Sequence, residues 1–78
     1  MSSYILTAII WFEDNVYVSR CPEIEVSSCG DTPEEALANL KEAIELWIEN
    51  ARFLNILDDY LPNITSKTKF TSSIEIKV

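Results

Sequence analysis

Short apolar runs in the first part of the chain predict β-strands. Residues 4–12 are rich in β-branched and aromatic side chains, the composition of a strand. The polar residues 13–15 predict a hairpin turn, after which residues 16–21 and 24–29 form a second and a third strand. Pro22 separates these two because it cannot donate a hydrogen bond to a strand ladder. The first strand is apolar on both faces, so we expect one face to contact something other than solvent.

The apolar period becomes helical after Gly30. Thr32 is placed as an N-cap, Pro33 occupies the first helical position, and Glu35 can complete a capping box with Thr32. The predicted helix runs from Pro33 to about Asn50. Its apolar stripe consists of Ala36, Leu37, Leu40, Ala43, Ile44, Trp47, Ile48 and Ala51. The carboxylates expected on its solvated side are those of Glu42, Glu45 and Glu49.

The last third of the chain predicts a loop followed by a strand. Asp58, Asp59 and Pro62 interrupt the helical pattern, and residues 63–69 are polar, which is typical of a loop. Residues 70–78 alternate between apolar and polar side chains, which predicts a half-buried strand. The predicted architecture is therefore an α+β domain over residues 1–78, in the order β-β-β-α-β, with one helix packed on an antiparallel sheet.

The charge of the chain favours a basic protein as partner. Thirteen Asp and Glu residues oppose six Lys and Arg residues, and the net charge is −7. This charge repels phosphate backbones, so we expect no direct nucleic-acid binding. It attracts basic proteins and speeds their encounter. The alternative is that the charge serves solubility alone.

The composition also argues against catalysis. Histidine is absent, which removes the commonest general base and the commonest zinc ligand. Cys21 and Cys29 are too few for a metal site, and Gly30 is the only glycine, so there is no phosphate-binding loop. We expect a protein that is not an enzyme and has no cofactor or metal. With no leader and no transmembrane run, a cytoplasmic location is expected.

Two sets of residues are candidates for contacts with other chains. The carboxylates that could meet a basic partner are Glu13 and Asp14 in the hairpin turn, and Glu23 and Glu25 beside the third strand. The apolar residues that could mediate self-association are Trp11, Leu46, Phe53, Leu54 and Leu57. Alternatively, the last four belong to a helix that continues and bends around the core. Because a domain of 78 residues has a thin core, we expect a homodimer or a higher oligomer.

Three segments of the chain resemble HicB-like antitoxins. They are Tyr17–Ile24, with its strand that ends in Pro-Glu-Ile; Gly30–Leu37, which reads Gly-Asp-Thr-Pro-Glu-Glu-Ala-Leu; and Asn39–Leu46, which contains Glu-Ala-Ile-Glu. The resemblance implies a partial ribonuclease-H-like fold without nuclease activity. It also implies a partner, a small basic RNA-cleaving toxin of the HicA type, which the acidic chain would bind and neutralise.

Two departures from the family pattern qualify the resemblance. Residues 25–29 stand where the family usually has Pro-Gly-Cys, so the loop that meets the toxin can differ. The chain resembles the short form of the family, without the C-terminal DNA-binding domain, so operator binding is not expected. The alternative function is that of an orphan HicB-like domain that binds a different protein. A toxin gene next to this one would separate the two.

Overall fold

The described part of the chain forms one three-stranded antiparallel sheet and two helices. The computed structural model describes residues 4–66 and 68–78, so residues 1–3 and 67 of the predicted domain lie outside the described residues. The elements are β1 (Ile9–Glu13), β2 (Val16–Cys21), β3 (Val26–Gly30), α1 (Pro33–Phe53) and α2 (Leu57–Thr65). The sheet has the order β1-β2-β3. The α+β class is confirmed, and β2 has its predicted bounds, whereas β1 and β3 each begin later than predicted.

The β1–β2 connection is a two-residue hairpin. Asp14 and Asn15 have φ angles of 52° and 65°, and Glu13 lies opposite Val16 in the ladder. Positive φ at both central positions matches the right-handed twist of the flanking strands, and Asp and Asn tolerate it better than most residues. The polar break in the sequence is therefore the turn that sets the register of the sheet.

Helix α1 is fixed at both ends by hydrogen bonds. The Glu35 amide donates to Thr32 Oγ1 at 3.0 Å, which is the predicted N-cap bond. Within the described residues the reciprocal bond to the Glu35 carboxylate is not formed, so only half of the capping box is present. At the other end Asn55 has a φ of 59°, and the Ile56 amide donates to the Ala51 carbonyl. This left-handed termination ends α1 and turns the chain towards α2.

Helix α1 lies against β2 and β3 at close range. A Cβ on Gly30 would lie 2.5 Å from the Ala36 nitrogen, so no larger residue fits without movement. The buried Ser19 hydroxyl donates to the Ala36 carbonyl at 2.8 Å. The core beneath the helix consists of Cys21, Ile24, Leu40 and Ile64. Leu37, which the sequence assigned to the apolar stripe, is instead about half exposed.

The prediction for the last third of the chain was wrong in two respects. Residues 57–65, expected to end the helical pattern and enter a loop, form α2, which buries Ile64 and partly buries Leu57 and Tyr60. The Tyr60 ring packs edge-on against Trp47, with 4.9 Å between ring centroids. Residues 68–78, which we call the tail, contain no strand and are exposed beyond Lys69. A second helix therefore replaces the start of the predicted loop, and the strand predicted for residues 70–78 is not formed.

Candidate partner interface

The four carboxylates predicted to meet a partner lie at opposite ends of β2. Glu13 and Asp14 belong to the β1–β2 turn, whereas Glu23 and Glu25 belong to the β2–β3 turn. The six residues of β2 separate the two turns by roughly 17 Å. The structure therefore forms two separate pairs and not one acidic cluster.

The hairpin pair is open to solvent. Glu13 and Asp14 are both exposed, and Glu13 accepts a hydrogen bond of 3.2 Å from the Trp11 indole nitrogen. That bond holds the Trp11 ring along the sheet face that α1 does not cover. Both carboxylates keep free oxygen positions, so a basic group can reach them.

At the other turn, Glu25 makes a weak surface ion pair. Its carboxylate lies 3.3 Å from the Arg20 guanidinium, and both side chains are well exposed. Exposed pairs of this kind contribute about 0–1 kcal/mol to stability. Glu25 has a φ of 54°, so its backbone forms the tight turn into β3. Its carboxylate remains accessible to a partner.

The Glu23 carboxylate, in contrast, is occupied by hydrogen bonds and an ion pair within the chain. Its carboxylate accepts from the Thr7 amide at 3.1 Å, from the Thr7 hydroxyl at 2.7 Å and from the Cys21 thiol at 3.3 Å. The Lys69 ammonium lies 2.8 Å from the same carboxylate and also donates to the Ile5 carbonyl at 2.6 Å. We call these residues the Glu23 corner. It joins the segment before β1, the β2–β3 turn and the root of the tail.

The electrostatics of the Glu23 corner follow from this enclosure. Burial by itself raises the Glu23 pKa, but the bonds from Lys69 and Thr7 outweigh it and lower that pKa from 4.5 to about 2. Burial, the hydrogen bond to Glu23 and the charge of its carboxylate raise the pKa of the Cys21 thiol. Glu23 therefore stays ionised, and its oxygens are used to hold the fold together.

A second acidic surface lies on α1, where the sequence assigned only solvated carboxylates. It is a shallow groove of about 560 Å³ between α1 and the edge of β3. We call it the α1–β3 groove, and its lining residues are Ser28, Asn39, Glu42, Ala43, Glu45, Leu46 and Glu49. Leu46 is 59% exposed and three carboxylates surround it. This arrangement suits an apolar side chain flanked by basic groups.

The β3 side of the groove is partly closed by Asn39. Its side-chain nitrogen donates to the Cys29 carbonyl at 2.8 Å. That carbonyl belongs to the outer edge of β3, where an added strand would pair. The groove is therefore suited to side-chain contacts with a partner more than to strand addition.

The residues predicted for self-association do not form one patch. Trp11 lies on the uncovered sheet face, Leu46 lies in the α1–β3 groove, and Leu57 packs partly against the core. Phe53 and Leu54 lie at the end of α1 and are 88% and 62% exposed. Only these last two residues share a location, so any interface built from the predicted set uses several surfaces.

Within the described residues there is no candidate metal site, and no helix could span a membrane. Residues 4–66 and 68–78 include no group of three or more Cys, Asp or Glu residues that could hold a metal. In that same part of the chain no helix is both long enough and apolar enough to cross a bilayer. Comparisons of the chain with protein-family models, with curated proteins and with solved structures give no match.

Sequence reasoning missed both the Glu23 corner and the α1–β3 groove. The corner carried one signal: Pro22 cannot donate to the ladder and so ends β2, which leaves the backbone before β1 to find partners outside the sheet. No sequence pattern predicts the contact of Glu23 with Lys69, which lies 46 residues further along the chain. The groove carried a clearer signal: Leu46 departs from the apolar stripe between Glu42, Glu45 and Glu49.

Proposed function

We propose that the chain is an antitoxin-like binding module that neutralises a small basic RNA-cleaving toxin of the HicA type. The observation that carries this proposal is the α1–β3 groove, in which exposed Leu46 lies among Glu42, Glu45 and Glu49. The resemblance of residues 17–46 to HicB-like antitoxins supplies the identity of the partner. The net charge of −7 is complementary to such a toxin.

The proposed action is inhibition by binding and not by chemistry. The carboxylates of the groove attract a basic toxin over distance and increase the association rate. Leu46 then supplies apolar contact at the centre, with the charged groups around it as a rim. A toxin bound in this way loses access to its RNA substrate, since its basic surface is covered. The chain itself cleaves neither RNA nor DNA.

The order of the first four elements supports the finer fold assignment within this proposal. The β-β-β-α order with an antiparallel sheet is the one the family resemblance implies. The proposed partial ribonuclease-H-like fold also has a strand after the helix, whereas here α2 follows α1 and residues 68–78 contain no strand.

The test compares two pairs of acidic residues with the same change in charge. Glu45→Lys/Glu49→Lys alters the α1–β3 groove, and Glu13→Lys/Asp14→Lys alters the hairpin turn by the same four units. Binding of an inactivated HicA-type toxin is measured by calorimetry at two salt concentrations. We expect the groove variant to weaken binding by at least about tenfold and the hairpin variant by less than about threefold. The reverse result would show that the toxin binds at the hairpin carboxylates and not in the α1–β3 groove.

A cleavage assay tests the functional part of the proposal. The active toxin and a labelled RNA are incubated with increasing amounts of the chain. We expect cleavage to stop at a fixed stoichiometric ratio and the groove variant to require more protein. The chain alone, with magnesium, manganese or no metal, is expected to leave RNA and DNA intact. Turnover that survives purification and is lost in a carboxylate variant would contradict a non-enzymatic role.

The second candidate function is an orphan domain of the same type with a different protein partner. It is favoured by residues 25–29, which depart from the Pro-Gly-Cys of the family and form the tight turn at Glu25 followed by β3. A pull-down from the native host, with the groove variant as control, discriminates between the two functions. Recovery of a partner other than a small basic nuclease, lost with the groove variant, would favour this second candidate.

A further inference from the structure

The outer edge of β1 has unpaired backbone groups. In a two-residue hairpin Glu13 and Val16 form a hydrogen-bonded pair, and such pairs alternate along an antiparallel ladder. The Thr7 amide, which points towards Glu23 at the end of β2, follows the same alternation. The N–H and C=O groups of Ala8, Ile10 and Phe12 therefore face away from β2. Among the described residues nothing pairs with them.

An unfilled apolar groove lies between α1 and residues 4–6, in the segment that leads into β1. It measures about 490 Å³, and its apolar lining consists of Tyr4, Leu6, Ile44 and Ile48. Lys41, Glu45 and Arg52 line the rest of it. We call it the α1–β1 groove. A strand added along the outer edge of residues 4–13 would turn every second side chain to the side of the sheet that α1 covers, and those beside residues 4–6 would enter the groove.

The tail has the pattern that such a strand needs. Ile74 and Ile76 lie on the apolar side of the alternation and are 81% and 72% exposed. Ser73, Glu75 and Lys77 lie on the polar side. The radius of gyration is 14.0 Å, against about 11.5 Å for a compact chain of this length, as expected when a segment projects from the body. An exposed apolar segment and an unpaired apolar edge therefore occur in one chain.

The root of the tail lies on the inner side of the segment before β1, and the unpaired groups lie on the outer side. Phe70 and Thr71 line a cleft with Thr7, Pro22 and Glu23. Lys69 holds this root in place through its contacts with Glu23 and the Ile5 carbonyl. To reach the β1 edge of its own chain, the tail would have to reverse around the segment before β1. A reversal would use several of the residues needed for pairing, whereas a second copy can present its edge directly.

We propose that two copies exchange their tails, each tail adding as a strand to the outer edge of β1 in the other copy. Residues 70–78 span about 30 Å when extended, which matches residues 4–13 of the acceptor. Ile74 and Ile76 enter the partner copy's α1–β1 groove, and Glu75 and Lys77 stay on the other side of the sheet. Both exchanges are equivalent under a two-fold axis, so the assembly closes as a dimer.

The test uses two variants that each remove one half of the exchange. Ile74→Asp/Ile76→Asp disables the tail, and in a single copy these side chains are exposed, so the body should fold unchanged. Ala8→Pro disables the edge, because it removes an outward N–H and no bond of the β1–β2 ladder. Ser73→Asp/Lys77→Gln is the matched control, since it changes the charge by the same two units on the polar side of the tail.

Sedimentation equilibrium at tens of micromolar gives the readout, with circular dichroism to confirm folding. We expect the wild type and the control to be dimers and each of the two disabled variants to be a monomer. A mixture of the two variants should form a heterodimer, because one has an intact edge and the other an intact tail. A monomeric wild type, a dimeric tail variant, or two folded variants that fail to associate when mixed would each overturn the exchange.

Discussion

Two leucines on α1 experience opposite environments. Leu40 is 1% exposed and belongs to the core between α1, the sheet and α2, whereas Leu46 is 59% exposed and lies among three glutamates. They are six residues apart, which places them on different sides of the helix. The same residue type thus stabilises the fold at one position and remains accessible at the other.

The carboxylates divide in the same way. Glu23 accepts hydrogen bonds from Thr7 and Cys21 and pairs with Lys69. Glu45 has no such partner among the described residues and lines the groove around Leu46. A carboxylate enclosed by donors holds elements together, and one that faces solvent is available to another molecule. The contrast separates the residues that maintain the structure from those proposed to bind a partner.

The largest effect is expected for Leu40→Ala. Removing a fully buried side chain leaves a cavity, and the free energy of unfolding should fall by roughly 2–5 kcal/mol. Urea denaturation followed by circular dichroism measures it, with Leu46→Ala as the matched substitution on the outer side of α1. If both variants lost similar stability, the distinction between the two sides of the helix would be incorrect.

The second effect concerns the two carboxylates. Glu23→Gln removes the charge that pairs with Lys69, and we expect a loss of about 1–3 kcal/mol of unfolding free energy at pH 7. Glu45→Gln is the control and should change stability by less than about 0.5 kcal/mol. Equal stability of Glu23→Gln and the wild type would mean that the Glu23 corner does not hold the root of the tail.

The same pair of variants yields a pH dependence. The Glu23 pKa is about 2 in the folded chain and near 4.5 in the unfolded chain, so the unfolded state takes up a proton first as the pH falls. The contribution of Glu23, at most about 3 kcal/mol, is complete above pH 4.5 and is lost between pH 4.5 and pH 2. The stability difference between the wild type and Glu23→Gln should therefore shrink over that range. A constant difference in denaturation midpoints would argue against the lowered pKa.

A smaller loss of stability is expected when the N-cap of α1 is removed, since this substitution leaves both sides of the helix unchanged. Thr32→Ala removes the acceptor for the Glu35 amide, and the expected loss is about 1 kcal/mol. Thr32→Ser keeps the hydroxyl and should retain most of the stability. Thermal unfolding of the three proteins measures the difference, and equal midpoints for Ala and Ser would show that the cap contributes nothing.

The smallest change in stability is expected for Leu46→Ala, which should lie within about 0.5 kcal/mol of the wild type. Its effect should appear in binding instead. We expect weaker binding of the proposed toxin partner, since Leu46 lies at the centre of the α1–β3 groove. The comparison is sharpened if Leu46→Ala binds more weakly while unfolding at the same denaturant concentration. Unchanged affinity would remove this groove from the proposed interface.

The parts of the fold that were predicted correctly depend on neighbouring residues. The start of α1 was readable because Thr32, Pro33 and Glu35 act within one turn of the helix. The hairpin was readable because Asp14 and Asn15 accept positive φ. Helix α2 was missed because local rules disfavour it: Pro62 lies inside it, and Ile56 caps it without a side-chain hydrogen bond. Burial of Ile64 and the contact of Tyr60 with Trp47 offset that local cost.

By itself the sequence determined the α+β class, the bounds of β2, the start of α1 and the acidic character of the chain. Each of these follows from interactions within a few residues or from composition. Only the tertiary structure decided that Glu23 is enclosed by Lys69 and Thr7, that Leu46 is open among glutamates, and that residues 57–65 are helical. These outcomes depend on contacts between residues far apart in the chain, and burial, which local sequence does not specify, sets their energies.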